Sequence, residues 1–152
     1  MIKRRQVREV AMQILFLWDA HSRDDEEMAR QVARDASDDP AAQEEVLAVA
    51  RNAWEHRETT DRWVERVAPQ WPTHRQPPVD RNVLRLAVWE LTNTTTPARV
   101  VIDEAIELAK HFSTEQSAAF VNAVMDAILK EHRNLMAAEM PPAEDPKSDN
   151  SV

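Results

Sequence analysis

The chain has 152 residues, carries 19 Lys and Arg against 27 Asp and Glu for a net charge of −8 at pH 7, and contains neither glycine nor cysteine. That length suits one domain, burying roughly two-thirds of the surface its unfolded form would expose, and leaves no room for a second catalytic one. Without glycine there are no Gly-rich phosphate-cradling loops, and positive-φ hairpin turns would fall to Asn or Asp, which disfavours a β-rich fold. Without cysteine there are no disulfides, thiolate nucleophiles or thiolate metal sites, in keeping with a reducing compartment.

In chain order, Val7, Val10, Ala11, Ile14, Leu15 and Trp18 recur at the spacing of one buried helical face and predict a helix over residues 4–20. Its basic start is not a signal peptide, because Arg8, Glu9, Gln13 and Asp19 interrupt the apolar stretch and no small-residue cleavage site follows. A short acidic helix is expected over 24–35, ended by the SDDP run at 37–40. A third helix is expected over 42–67, with Val46, Val49, Ala50, Ala53 and Trp54 as its apolar side. Pro69, Pro72, Pro77 and Pro78 then make residues 69–78 a kinked connector between two halves, 1–68 and 79–135. Val83, Leu84, Ala87, Val88 and Leu91 mark a helix over 79–92, and Val101, Ile102, Ala105, Leu108, Ala109 and Phe112 mark another starting near Pro97. Ser113 with Gln116 reads as a capping box that launches a last helix carrying Phe120, Val121, Val124, Met125, Ile128 and Leu129. Residues 136–152 lack a periodic apolar pattern and are expected to be disordered. The fold class is therefore all-α, with two packed subdomains of about three helices each. No run reaches the roughly 18 to 20 apolar residues of a membrane helix, so the expected location is the cytoplasm.

The negative net charge argues against nucleic acid, yet its distribution does not. Lys3, Arg4, Arg5 and Arg8 fall in the first eight positions, far from the acidic stretch at Asp24, Asp25, Glu26 and Glu27. Spacings of three and four place Arg4, Arg5 and Arg8 on adjoining positions of one exposed face, and Phe16 lies on the same side. Arginines beside an outward aromatic suit single-stranded RNA, with guanidinium groups for phosphates and a ring for stacking. The competing reading is a solvated helix start, because cations oppose the macrodipole there. Trp71 sits in the proline-rich connector, either as an anchor between the halves or as an exposed platform. His21, His56, His74, His111 and His132 have no metal-site spacing, and the carboxylate pairs read as solvated helix faces. No catalytic residue, metal or cofactor is assigned.

Four blocks, RRQVREVAMQILF at 4–16, VDRNVLRLAVWEL at 79–91, VVIDEAIELAKHF at 100–112 and FVNAVMDAIL at 120–129, together resemble the NusB family of transcription antitermination factors. The resemblance spans nearly the whole chain to about residue 133. It implies a helical fold of two subdomains and a non-catalytic role on ribosomal RNA operons. There such proteins bind the boxA element of the nascent transcript together with NusE, a small-subunit ribosomal protein, and help RNA polymerase resist termination. Carried onto this sequence, the resemblance assigns RNA contacts to Lys3, Arg4, Arg5, Arg8, Phe16, Trp71, Phe112, Gln116, Phe120 and Asn122, and NusE contacts to Asp80 and Trp89. Gln6, Gln116 and Ala123 depart from the family pattern, standing where a basic, an acidic and a glycine residue are common. One lost basic contact lowers affinity and salt slope without abolishing binding. Two alternatives stand beside this reading. One is the RNA-recognition module of an rRNA methyltransferase, disfavoured by the lack of a cofactor loop and by a chain that ends soon after the domain. The other is a helical protein-interaction adaptor whose arginines only solvate.

Overall fold

A computed structural model describes residues 3–139, all of whose regular elements are helical: α1 (Arg4–His21), α2 (Glu26–Ala36), α3 (Pro40–Glu55), α4 (Arg57–Val67), a 3₁₀ turn (Thr73–Arg75), α5 (Pro78–Asn93), α6 (Ala98–Phe112) and α7 (Glu115–Glu139). The last helix runs past residue 136, where the sequence predicts disorder to begin; the rest of that expectation, residues 140–152, lies outside the described residues.

The chain makes its turns without glycine. At the end of α1, Ser22 takes the left-handed conformation (φ 56°, ψ 26°), a position glycine usually fills, and its N–H and that of Arg23 close back on the carbonyls of Asp19 and Trp18. Asp25 then caps α2, accepting from Met28 N at 3.1 Å, while the Trp18 indole donates to the Asp25 carbonyl at 2.8 Å. Asp39 caps α3 through Ala41 N, with Pro40 as the first helical residue.

Two local expectations are corrected. The single helix over 42–67 is two, broken at His56, which closes α3 and opens α4. The His56 ring nitrogen Nδ1 engages the Asn52 carbonyl at 2.7 Å and the Asn52 amide donates to the Ala48 carbonyl at 2.8 Å, so side chains claim carbonyl groups of the last turns. At the start of α7 the cap is Thr114, whose hydroxyl accepts from Ser117 N at 3.1 Å, rather than Ser113.

The predicted apolar stripes form one buried cluster to which every α-helix contributes, from Ala11, Ile14, Leu15 and Trp18 on α1 to Val121, Met125 and Ile128 on α7. Helix α5 is the hub, packing against α1, α3, α4, α6 and α7. Trp18 and Trp54 meet edge to face at 5.7 Å where α1 crosses α3.

Charged residues also cross the fold. Arg81 donates to Asp19 Oδ2 at 2.8 and 2.5 Å and to the Thr73 and Gln76 carbonyls, so α5 grips both α1 and the connector. Arg85 forks onto Asp61 of α4 at 3.1 and 2.9 Å and reaches Asp19 Oδ1 at 3.2 Å. Burial opposes charge on Asp19, but the bonds from Arg81 and Asn82 and the nearby Arg85 outweigh it and hold the carboxyl below its usual range.

Candidate nucleic-acid interface

The arginine-rich start of α1 does not stay together as an exposed set. Lys3, Arg4 and Arg5 are exposed, but Arg8 is only 8% exposed and donates two bonds to Glu90 of α5, Nε to Oε2 at 3.0 Å and Nη2 to Oε1 at 2.5 Å. The bond to Glu90 holds the Arg8 guanidinium firmly charged against its burial. Arg8 follows Val7 in sequence and sits at the border of the apolar face, so it adjoins Arg4 in one groove, as the i, i+4 spacing implies, but is not exposed with it. Arg5 is also engaged, forking onto Glu104 of α6 at 3.1 and 3.0 Å and drawing the Glu104 carboxyl below its ordinary value. Arg4 lines a groove of about 250 Å³ with Trp89 and the Thr94, Thr95 and Thr96 loop, above the Arg8–Glu90 pair.

Two aromatic grooves lie further along. Phe16, 36% exposed, faces half-buried Phe112 across a groove of about 360 Å³ walled by Met12, Leu17, Val32 and Val79. Ser113, the residue after Phe112, lines the next cleft, of about 430 Å³, with Trp71, Phe120, Gln116 and Pro77. The α6–α7 junction is thus a shared wall of the two grooves. Trp71 is 54% exposed, which resolves its two readings in favour of a platform, and the Gln76 amide donates to its carbonyl at 3.0 Å to fix the connector beneath it. Gln116 is exposed at the rim. Asn122 is exposed too, but stands about 200° around α7 from Phe120 and does not line the cleft.

The two residues expected to meet a protein partner are separated. Asp80, the third residue of α5, is 4% exposed and lines the Trp71–Phe120 cleft. Trp89 is half-buried in the Arg4 groove, about 13 Å further along the helix and on its opposite side. Burial pushes the Asp80 carboxyl above its ordinary value, with Ser117 opposing only in part, and its Oδ1 has no hydrogen-bond partner.

Sequence reasoning missed the carboxylates that engage the arginines, Glu90 and Glu104, and the Asp19–Arg81–Arg85–Asp61 network. The signal was present in part, since Arg85 lies between Leu84 and Leu86 inside the apolar run of α5, where an unpaired charge would be costly. Among the described residues, no group of three or more His, Asp or Glu could hold a metal ion, and no helix is long and apolar enough to cross a membrane.

The model of the NusB family matches residues 5–130. The chain belongs to the NusB family. The transcription antitermination protein NusB of Solibacter usitatus is 43% identical over 133 residues, covering 86% of this chain and 91% of that protein. NusB of Symbiobacterium thermophilum is 36% identical over 147 residues, covering 91% and 96%. Among solved structures, T. maritima NusB superposes with a TM-score of 0.74 at 35% identity, covering 91% of this chain and 99% of that one. A structure of antitermination factors NusB and NusE in complex with double-stranded RNA gives 0.74 at 29% identity, covering 84% and 96%.

Proposed function

We propose that this chain is a transcription antitermination factor that binds boxA-like RNA of ribosomal RNA operon transcripts together with NusE, within the RNA polymerase antitermination complex. The observation that carries this reading is the run of two aromatic grooves joined at Phe112 and Ser113, on a chain whose relatives are NusB proteins, one of them solved with NusE and RNA. Exposed rings at Phe16 and Trp71 offer stacking surfaces for splayed bases, and single-stranded RNA is recognised in this way. Phosphates would be met by Lys3 and Arg4, whereas Arg8 supports the helix that carries them. Of the two residues assigned to NusE, Trp89 lines the groove beside Arg4 and Asp80 lines the cleft beside Trp71. The factor works by binding rather than catalysis, in the cytoplasm where transcripts emerge.

The test is transcription in a reconstituted system containing RNA polymerase, NusE and the other Nus factors, on templates with intact or scrambled boxA upstream of a terminator. Added protein is expected to raise read-through on the intact template only. Equal read-through on both templates would contradict the proposal.

A further inference from the structure

We propose that Glu104 withholds Arg5 from RNA phosphates and thereby limits sequence-independent binding at the start of α1; this rests on the RNA-binding reading above. Arg5 and Arg8 both fork onto carboxylates from the second half of the chain, but their settings differ. The Arg8 and Glu90 side chains keep only 10% and 9% of their surface exposed, which makes that pair a fixed part of the interior. The Arg5 side chain is 59% exposed against 17% for Glu104, so its guanidinium can leave the carboxylate for another anion without opening the core.

Where it stands, Arg5 is a poor phosphate ligand. Its Nε and Nη2 are both given to Glu104, at 3.1 and 3.0 Å, which occupies one fork of the guanidinium. Glu9 and Glu107 line the same cleft of about 120 Å³. One cation among three carboxylates presents an incoming phosphate with more repulsion than attraction. Arg4, its neighbour in sequence, opens instead on the Thr94, Thr95 and Thr96 loop. Arg5 therefore joins Arg4 on the RNA backbone only after turning away from Glu104. An exposed arginine–carboxylate pair is weak, so that exchange is a modest tax on binding rather than a bar to it. Phosphate contacts carry no sequence information, so the tax falls equally on every RNA.

The experiment measures binding of labelled boxA-like RNA and its scrambled control to the full chain over a series of salt concentrations. Glu104→Gln keeps the side-chain shape and removes the charge. It is expected to tighten both RNAs by the same factor of about two to five, the scale of one exposed ion pair, and to steepen the dependence of log affinity on log salt by about 0.7, one single-strand phosphate contact. Adding Arg5→Gln should abolish the gain, because Glu104 acts through Arg5. Glu107→Gln removes the same charge from the next turn of α6 and should leave the salt slope unchanged. A merely structural tie between α1 and α6 would move stability without moving that slope. Affinity unchanged or weakened in Glu104→Gln overturns the inference, as does a gain that survives Arg5→Gln or an equal steepening in Glu107→Gln. Failure of the wild-type protein and all variants to bind either RNA defeats the RNA-binding reading itself, and the two failures are thereby distinguished.

Discussion

Arg4 and Arg8 stand one helical turn apart on α1, and the structure gives them opposite roles. Removing Arg8 strands Glu90 in the interior, so Arg8→Ala should cost about 3 to 5 kcal/mol, the usual penalty for breaking a buried pair, read as a lower urea midpoint. Arg4→Ala should leave that midpoint unchanged but weaken RNA binding and lower the salt slope by about 1. If Arg8→Ala proved as stable as wild type, its structural assignment would be wrong. Residue spacing identified the basic helix start correctly but not which member of it turns inward, because that depends on Glu90, a partner from a distant stretch of sequence. Asp19 makes a pH prediction at the same scale. Its folded carboxyl lies below the ordinary range, so the unfolded chain takes up its proton first as pH falls. The stability it contributes is therefore complete above the ordinary carboxylate range and is lost as pH drops through the depressed folded value. Asp19→Asn should flatten that acid limb of a stability-against-pH curve; an unaltered acid limb would show that Asp19 does not carry the linkage.

At the scale of elements, apolar periodicity made α1, α5, α6 and α7 legible to within a few residues, because each buries a single stripe against the rest of the fold. The break between α3 and α4 was not legible, since residues 55–62 hold no apolar residue whose spacing could register it; at the break the Asn52 and His56 side chains bond to backbone carbonyls of the last turns of α3. Ser22 is the clearest local compromise, holding a left-handed cap in a chain without glycine. Ser22→Gly should relieve about 1 kcal/mol and raise Tm by roughly 2 to 4 °C. A Tm that stays level or falls in thermal unfolding would mean the serine is already compensated. Thr114→Ala should lose the α7 cap and cost about 1 kcal/mol, and it should also loosen the rim of the Trp71–Phe120 cleft.

Across the whole molecule, α5 links what the proline-rich connector divides in sequence. It packs against α1, α3 and α4 on one side of the chain and α6 and α7 on the other, while Arg81 and Arg85 tie it to Asp19 and Asp61. Heat or urea should therefore unfold the chain in a single transition, with tryptophan fluorescence and far-ultraviolet circular dichroism coincident; two separated transitions would show halves that fold independently. The convergence of Trp71 with Gln116 and Phe120 was visible only through family resemblance, because no spacing rule joins a connector residue to the first turns of α7. Burial of Asp80 and the separation of Asp80 from Trp89 required the three-dimensional arrangement.

The central claim is that these grooves form a selective RNA surface working jointly with NusE. Its most direct test is the affinity of the full chain for labelled boxA-like RNA and a scrambled control, with and without saturating NusE, at two salt concentrations. The predicted result is selective, salt-sensitive binding that NusE tightens, with RNA tightening NusE by the same factor because the coupling is reciprocal. Equal weak binding of both RNAs under every condition, with NusE still bound, would contradict the account and leave a protein-interaction adaptor in its place.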